Sequence, residues 1–144
     1  MIYPNVGALI GKQQPVTLPP TATVLDAARA MAERHVGAVA VIADNALVGL
    51  FTERDLLNRV VSLAKDPQSI PVGEVMTPGP RTIRDDQPVV TGLDIMFSNN
   101  FRHLPVLNRE GALVAVLSCR DVPTAYQVMR ERWQEARRSL ASAA

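Results

Sequence analysis

Two short segments, Thr52-Glu53-Arg54-Asp55 and Ser118-Cys119-Arg120-Asp121, each place a hydroxyl three positions ahead of a carboxylate, directly after an apolar run. An ionised aspartate accepts hydrogen bonds from a pair of vicinal hydroxyls, and bonds to a charged acceptor are the stronger kind. A Ser or Thr hydroxyl beside the free N–H groups that open a helix suits an anion such as phosphate. Arg54, Arg120 and Arg102 can neutralise that anion, arginine having the geometry for bidentate contact. The same spacing is also that of a capping box, in which hydroxyl and acid only start a helix. Duplication would copy a cap as readily as a ligand site, so both readings stand on these residues.

Other chemistry is thinly represented. Cys119 with His103 suggests a thiol nucleophile and a base, but nothing supplies a third, orienting group, and Cys119 reads as a small residue at a helix start. No P-loop, dinucleotide glycine fingerprint, serine elbow or metal-ligand spacing occurs, so neither a catalytic residue nor a metal is expected. His35 reads as a helix-ending residue and Lys12 as a solvated lysine. Met31, Met96 and Phe97 lie at helical spacing and read as core.

Composition narrows the setting. Fifteen basic against fourteen acidic residues leave a net charge of +1, which gives no reason to invoke a polyanionic partner. A single cysteine excludes an internal disulfide and fits a reducing compartment. The opening residues MIYPNVGALIGKQQP lack a secretory pattern, and no segment approaches the ~18 apolar residues of a membrane span. The expectation is a cytoplasmic protein without membrane or nucleic-acid partners.

The elements that must position the two hydroxyl–acid pairs are themselves duplicated. Residues 16–43 align with 81–108 at an offset of 65, pairing Thr17 with Thr82 and Met31 with Met96; beyond the hairpin, 47–55 aligns with 113–121 at an offset of 66. The extra residue falls in a turn, where insertion costs least. Each copy reads as βαββα. Thr23 with Asp26 predicts a capped helix whose inner stripe is Val24, Ala28, Met31 and Ala32. In copy two Pro88 suits the first turn, and Val89, Leu93, Met96 and Phe97 form the equivalent stripe. Two apolar strands follow in each copy, then a closing helix, whose inner face in copy one is Leu56, Leu57, Val60, Val61 and Ala64. The stretch DPQSIPVGEVMTPGP, with four prolines and two glycines, reads as a linker. The expected layout is an N-terminal segment with repeat one (1–66), a linker (67–80), repeat two (81–127) and a C-terminal helix (128–144). The fold class is α+β, the repeats packing about a pseudo-two-fold axis because neither buries enough core alone.

The segments VGAVAVIADNALVGLFTERDLL, VGEVMTP and FRHLPVLNREGALVAVLSCRDV resemble the cystathionine-β-synthase (CBS) domain pair, or Bateman module, over roughly residues 8–127. The chain looks like a stand-alone, bacterial-type member. The resemblance implies clefts between the repeats in which an adenosine nucleotide of the AMP, ADP, ATP or NAD class binds as a regulatory ligand, with no further cofactor. Carried over by position, Asp55 and Asp121 hold ribose hydroxyls, Thr52 and Ser118 contact phosphate, and Thr17 and Thr82 line the cleft. Ala38, Val39 and Val41 in copy one, and His103, Leu104 and Pro105 in copy two, match the adenine pocket. Arg102 and His103 match residues that approach phosphate from the facing repeat. Asp44-Asn45 without Gly, Ala115 in place of Gly49, and the long Arg120 depart from the usual pattern.

From Thr124 onward Ala125, Met129, Trp133, Ala136 and Leu140 form one helical stripe, with Arg130, Arg132, Arg137 and Arg138 on solvated faces. The stripe is expected to pack on the module or across a homodimer interface. With no catalytic or transport domain in the sequence, the regulated partner is expected to be a separate protein. A ligand-free structural or dimerisation module is the competing reading.

Overall fold

The computed structural model describes residues 2–143; Met1 and Ala144, the outer limits of the first and last expected segments, lie outside the described residues. Helix α1 (Val6–Ile10) precedes strand β1 (Thr17–Leu18), helix α2 (Val24–Arg34), strands β2 (Ala38–Ala43) and β3 (Ala46–Thr52), and helix α3 (Glu53–Leu56), which runs into a π-helical turn at Leu57–Val61. Then come α4 (Val72–Val75), β4 (Thr77–Pro78), β5 (Ile83–Arg84), α5 (Val89–Ser98), β6 (His103–Leu107), β7 (Leu113–Ser118), a 3-10 turn at Cys119–Asp121 and α6 (Thr124–Ala143). This is the duplicated α+β arrangement expected.

The strands form two mixed sheets, ordered β1-β2-β3-β4 and β5-β6-β7. In each, a short first strand pairs parallel to the long strand of a hairpin, Thr17 opposite Ala40 and Ile83 opposite Val106. Both hairpins shift register at equivalent places, between Val41 and Ile42 and between Val106 and Leu107. The first turns at Asp44 (φ 50°) and Asn45 (φ 61°). Short polar side chains tolerate that left-handed pair, so the turn closes without glycine.

Two apolar cores result, and each borrows a helix from the other half of the chain. Val24, Met31, Val39, Val41, Phe51 and Val60 enclose Val72 and Val75 of α4. Ile83, Leu93, Met96, Leu104, Val106 and Leu117 enclose Val6 of α1. The backbone contacts match under the repeat: Val6 N–H donates to Gln87 C=O (2.9 Å) and Gly7 N–H to Asp85 C=O (2.8 Å), while Val72 N–H donates to Ala22 C=O (2.7 Å) and Gly73 N–H to Pro20 C=O (3.0 Å). The repeated Val-Gly at 6–7 and 72–73 is the sequence signal for this exchange. The stretch expected as a linker therefore contributes α4 to the first core and β4 to the edge of β3.

Two packing expectations are corrected, and of the two alternatives for the C-terminal stripe the packing on the module is removed. In copy one Val60 is buried, but Leu57 and Val61 are exposed. Ser62 N–H and Lys65 N–H donate to carbonyls five residues back, at Leu57 and Val60, and this wider turn breaks the 3.6-residue stripe. In copy two Phe97 is 46% exposed, with the Arg130 guanidinium 5.0 Å above its ring. Finally, α6 docks through Tyr126, which is buried, and Arg130, which pairs with Asp94 at 3.2 Å. The apolar stripe faces away: Met129 is 49%, Trp133 55% and Leu140 73% exposed. Tyrosine and arginine carry long apolar bodies under a polar tip, so they cover core that a count of apolar residues misses. The helix is also continuous across the boundary expected at 127/128.

Candidate functional site

Both hydroxyl–acid segments form complete capping boxes at the end of a hairpin strand. Thr52 N–H donates to Asp55 Oδ2 (3.1 Å), and Asp55 N–H to Thr52 Oγ1 (3.2 Å). Ser118 N–H donates to Asp121 Oδ2 (2.9 Å), and Arg120 N–H to Ser118 Oγ (3.3 Å). Each box opens onto a cleft whose opposite wall comes from the other repeat.

The Asp121 cleft, of about 430 Å³, sets Val116, Ser118, Arg120 and Asp121 against Val16 and Val36 to Ala38. The Asp55 cleft, of about 350 Å³, sets Leu50, Thr52, Arg54 and Asp55 against Arg81 and Phe101 to His103. These are equivalent positions: at an offset of 65, Val36, Gly37 and Ala38 correspond to Phe101, Arg102 and His103. Both volumes lie in the range of ~300–1,000 Å³ usual for small-molecule sites.

His103 lines both clefts. Its ring is seated against Gly37, where an added Cβ would lie 3.0 Å from Cε1 and Nε2. The equivalent of His103 is Ala38, so the imidazole fills space that its symmetry mate leaves open. Burial pushes the imidazole below its ordinary value; Glu53 opposes this, Arg120 adds to it, Asp121 opposes it and Arg102 adds to it. Cys119 lies within 3.8 Å of Met96 Sδ, and burial raises its thiol despite nearby Arg102.

Of the expected site residues, Thr52, Arg54, Asp55, Arg102 and His103 converge on one cleft, and Ala38, His103, Ser118, Arg120 and Asp121 on the other. Val39, Val41 and Leu104 are turned into the two cores, since alternate strand residues face opposite sides of a sheet. Pro105 is buried and lines neither cleft, and Val16 and Arg81 occupy the walls where Thr17 and Thr82 were expected. Two contributors were not singled out from sequence. Gln13 accepts from Val116 N–H on the free edge of β7 (2.8 Å), and Thr77 Oγ1 lies 3.4 Å from both Asp55 oxygens. The repeat offset is a usable signal for the wall residues, but Gln13 and Thr77 lie outside the aligned blocks.

A family model described as CBS domain matches residues 6–62 and 72–127. A CBS domain protein from Pyrobaculum aerophilum, solved in complex with AMP, is 32% identical with a TM-score of 0.80, over 89% of this chain and 98% of that one. A CBS-domain containing protein from Agrobacterium tumefaciens is 30% identical with a TM-score of 0.75, over 84% and 98%. A CBS domain-containing protein of Arabidopsis thaliana is 38% identical over 118 residues, which are 81% of this chain and 22% of that protein. The chain thus spans about a fifth of the length of three such Arabidopsis relatives, and 57% of a fourth, mitochondrial one.

Proposed function

Since the chain belongs to the CBS-domain family and carries two such repeats, we propose that it is a non-catalytic regulatory module. It binds an adenosine nucleotide of the AMP, ADP, ATP or NAD class between the repeats, pairs with a second copy of itself, and signals to a separate protein. The observation that carries this reading is that each cleft joins the aspartate of one repeat to the strand entrance of the other. A ligand held there touches both halves of the module, so its binding energy depends on how the halves are set. That differential affinity is what shifts a population between two states.

Helix capping and ligand binding are compatible in these residues. A carboxylate offers about four lone-pair sites, and the capping amide uses only one, on Oδ2. The Thr52 and Ser118 hydroxyls accept at their lone pairs and keep their protons to donate. Arg120 in one cleft and Arg81 and Arg102 in the other supply positive charge for phosphate. The relative solved with AMP supports this ligand class. The competing reading, an interaction module with no ligand, is favoured only by the uncovered stripe on α6.

Thermal unfolding with AMP, ADP, ATP and NAD tests the proposal. A hundredfold excess over the dissociation constant stabilises the folded chain by ~2.7 kcal/mol, which for this size is a rise of roughly 5–10 °C. Replacing both Asp55 and Asp121 by Ala abolishes the rise. A wild-type chain that shifts with none of the four is the result that defeats nucleotide binding.

A further inference from the structure

The repeat makes the two clefts equivalent in outline, and their side chains make them unequal. Asp55 is 7% exposed and heavily engaged: besides its capping amide, Thr77 Oγ1 lies 3.4 Å from both oxygens and Arg59 Nε 3.7 Å from Oδ1. Arg54, the cation of that segment, is committed across the repeats, its Nη1 donating to Asn100 C=O at 2.8 Å. At the equivalent positions in the other cleft the partners change. Ala125 stands where Arg59 stands, and Gln13, which meets β7 at Val116 as Thr77 meets β3 at Leu50, bonds the strand and not Asp121. Asp121 is exposed, and among the described residues its only side-chain hydrogen bond is the one from Ser118 N–H. Arg120 lines the same cleft, with no side-chain hydrogen bond or ion pair among the described residues.

We infer that the chain holds one adenosine nucleotide tightly, in the Asp121 cleft, and fills the Asp55 cleft only at much higher concentration. Asp121 takes the ribose hydroxyls with its uncommitted oxygen, and Arg120 takes phosphate. In the Asp55 cleft the same diol would have to displace Thr77 or Arg59 from a nearly buried carboxylate, which costs the bonds already made. This inference rests on the nucleotide reading above and adds which cleft works and how many ligands are held.

Isothermal titration of the full chain with AMP tests it. One tight event per chain is expected, with any second event far weaker. Asp121→Asn keeps an amide oxygen to accept from Ser118 N–H, so the cap and the fold survive. Losing the charged acceptor weakens the tight event by roughly tenfold or more. Arg120→Gln, at an exposed side chain, weakens it severalfold and reduces its salt dependence. Two events of equal affinity, or a tight event unchanged in Asp121→Asn, overturn the assignment while leaving nucleotide binding intact. Absence of any AMP, ADP, ATP or NAD binding to the wild type overturns both.

Discussion

His103 is the residue whose position has the widest consequences. Burial holds its folded-state value below the ordinary 6.5, with Glu53 and Asp121 opposing and Arg120 and Arg102 adding. The unfolded chain therefore binds more protons than the folded one as pH falls below about 6.5, so stability falls with acidification through that window and is fully present above it. His103→Gln keeps a polar side chain of similar reach and removes the titration. The melting temperature of the variant is expected to fall less than that of the wild type between pH 7.5 and 5. Parallel melting curves across that range would place the imidazole in a more solvated setting than the one described. Cys119 illustrates the opposite sign: burial disfavours its thiolate, which leaves it a poor nucleophile.

At the scale of elements, the docking of α1 and α4 is governed by two glycines. A Cβ on Gly73 would lie 2.8 Å from Pro20 Cβ and 3.1 Å from its carbonyl, whereas one on Gly7 would lie 3.1 Å from Asp85 C=O. Neither contact can relax without moving backbone. Gly73→Ala is expected to destabilise by about 1–3 kcal/mol, and Gly7→Ala by less, as read from urea midpoints; a neutral Gly73→Ala would mean that α4 tolerates displacement. What sequence made legible here was whatever is local. The caps at Thr23, Thr52 and Ser118 bond over three positions, so spacing alone locates them. The α4 helix was hidden because four residues among prolines carry no periodicity. Its place in the first core is a long-range fact, signalled only by the repeated Val-Gly. The outward-facing side of α6 was legible as an apolar stripe but not as exposed, because Tyr126 and Arg130 do the docking. In the clefts the capping aspartates were legible, but the strand parity that turns Val39, Val41 and Leu104 inward is set by sheet packing.

At the scale of the molecule, the exchange of α1 and α4 binds two small cores into one unit, yet both closing segments still present apolar side chains to solvent. On α6 these are Val128, Met129, Trp133 and Leu140; on the segment after α3 they are Leu57, Val61 and Leu63. At an offset of 66 Leu63 corresponds to Met129, so the two patches sit on equivalent segments of the repeats. Arg137 stacks 4.6 Å over the Trp133 ring without burying it. Aromatic, methionine and arginine side chains of this kind are enriched where protein surfaces meet, and an uncovered apolar face is costly to leave in water. A second copy of the chain supplies matching faces, which is why the module is proposed to be a homodimer. Met129→Glu with Trp133→Glu changes only exposed positions on α6 and places charge within that contact. Sedimentation equilibrium is expected to show a dimer for the wild type and a monomer for the double variant, with unchanged far-ultraviolet circular dichroism. A monomeric wild type, or a double variant that still dimerises, would rule out α6 as the dimer contact. The Asp121→Asn chain should remain dimeric, because the dimer face and the nucleotide cleft are built from different side chains.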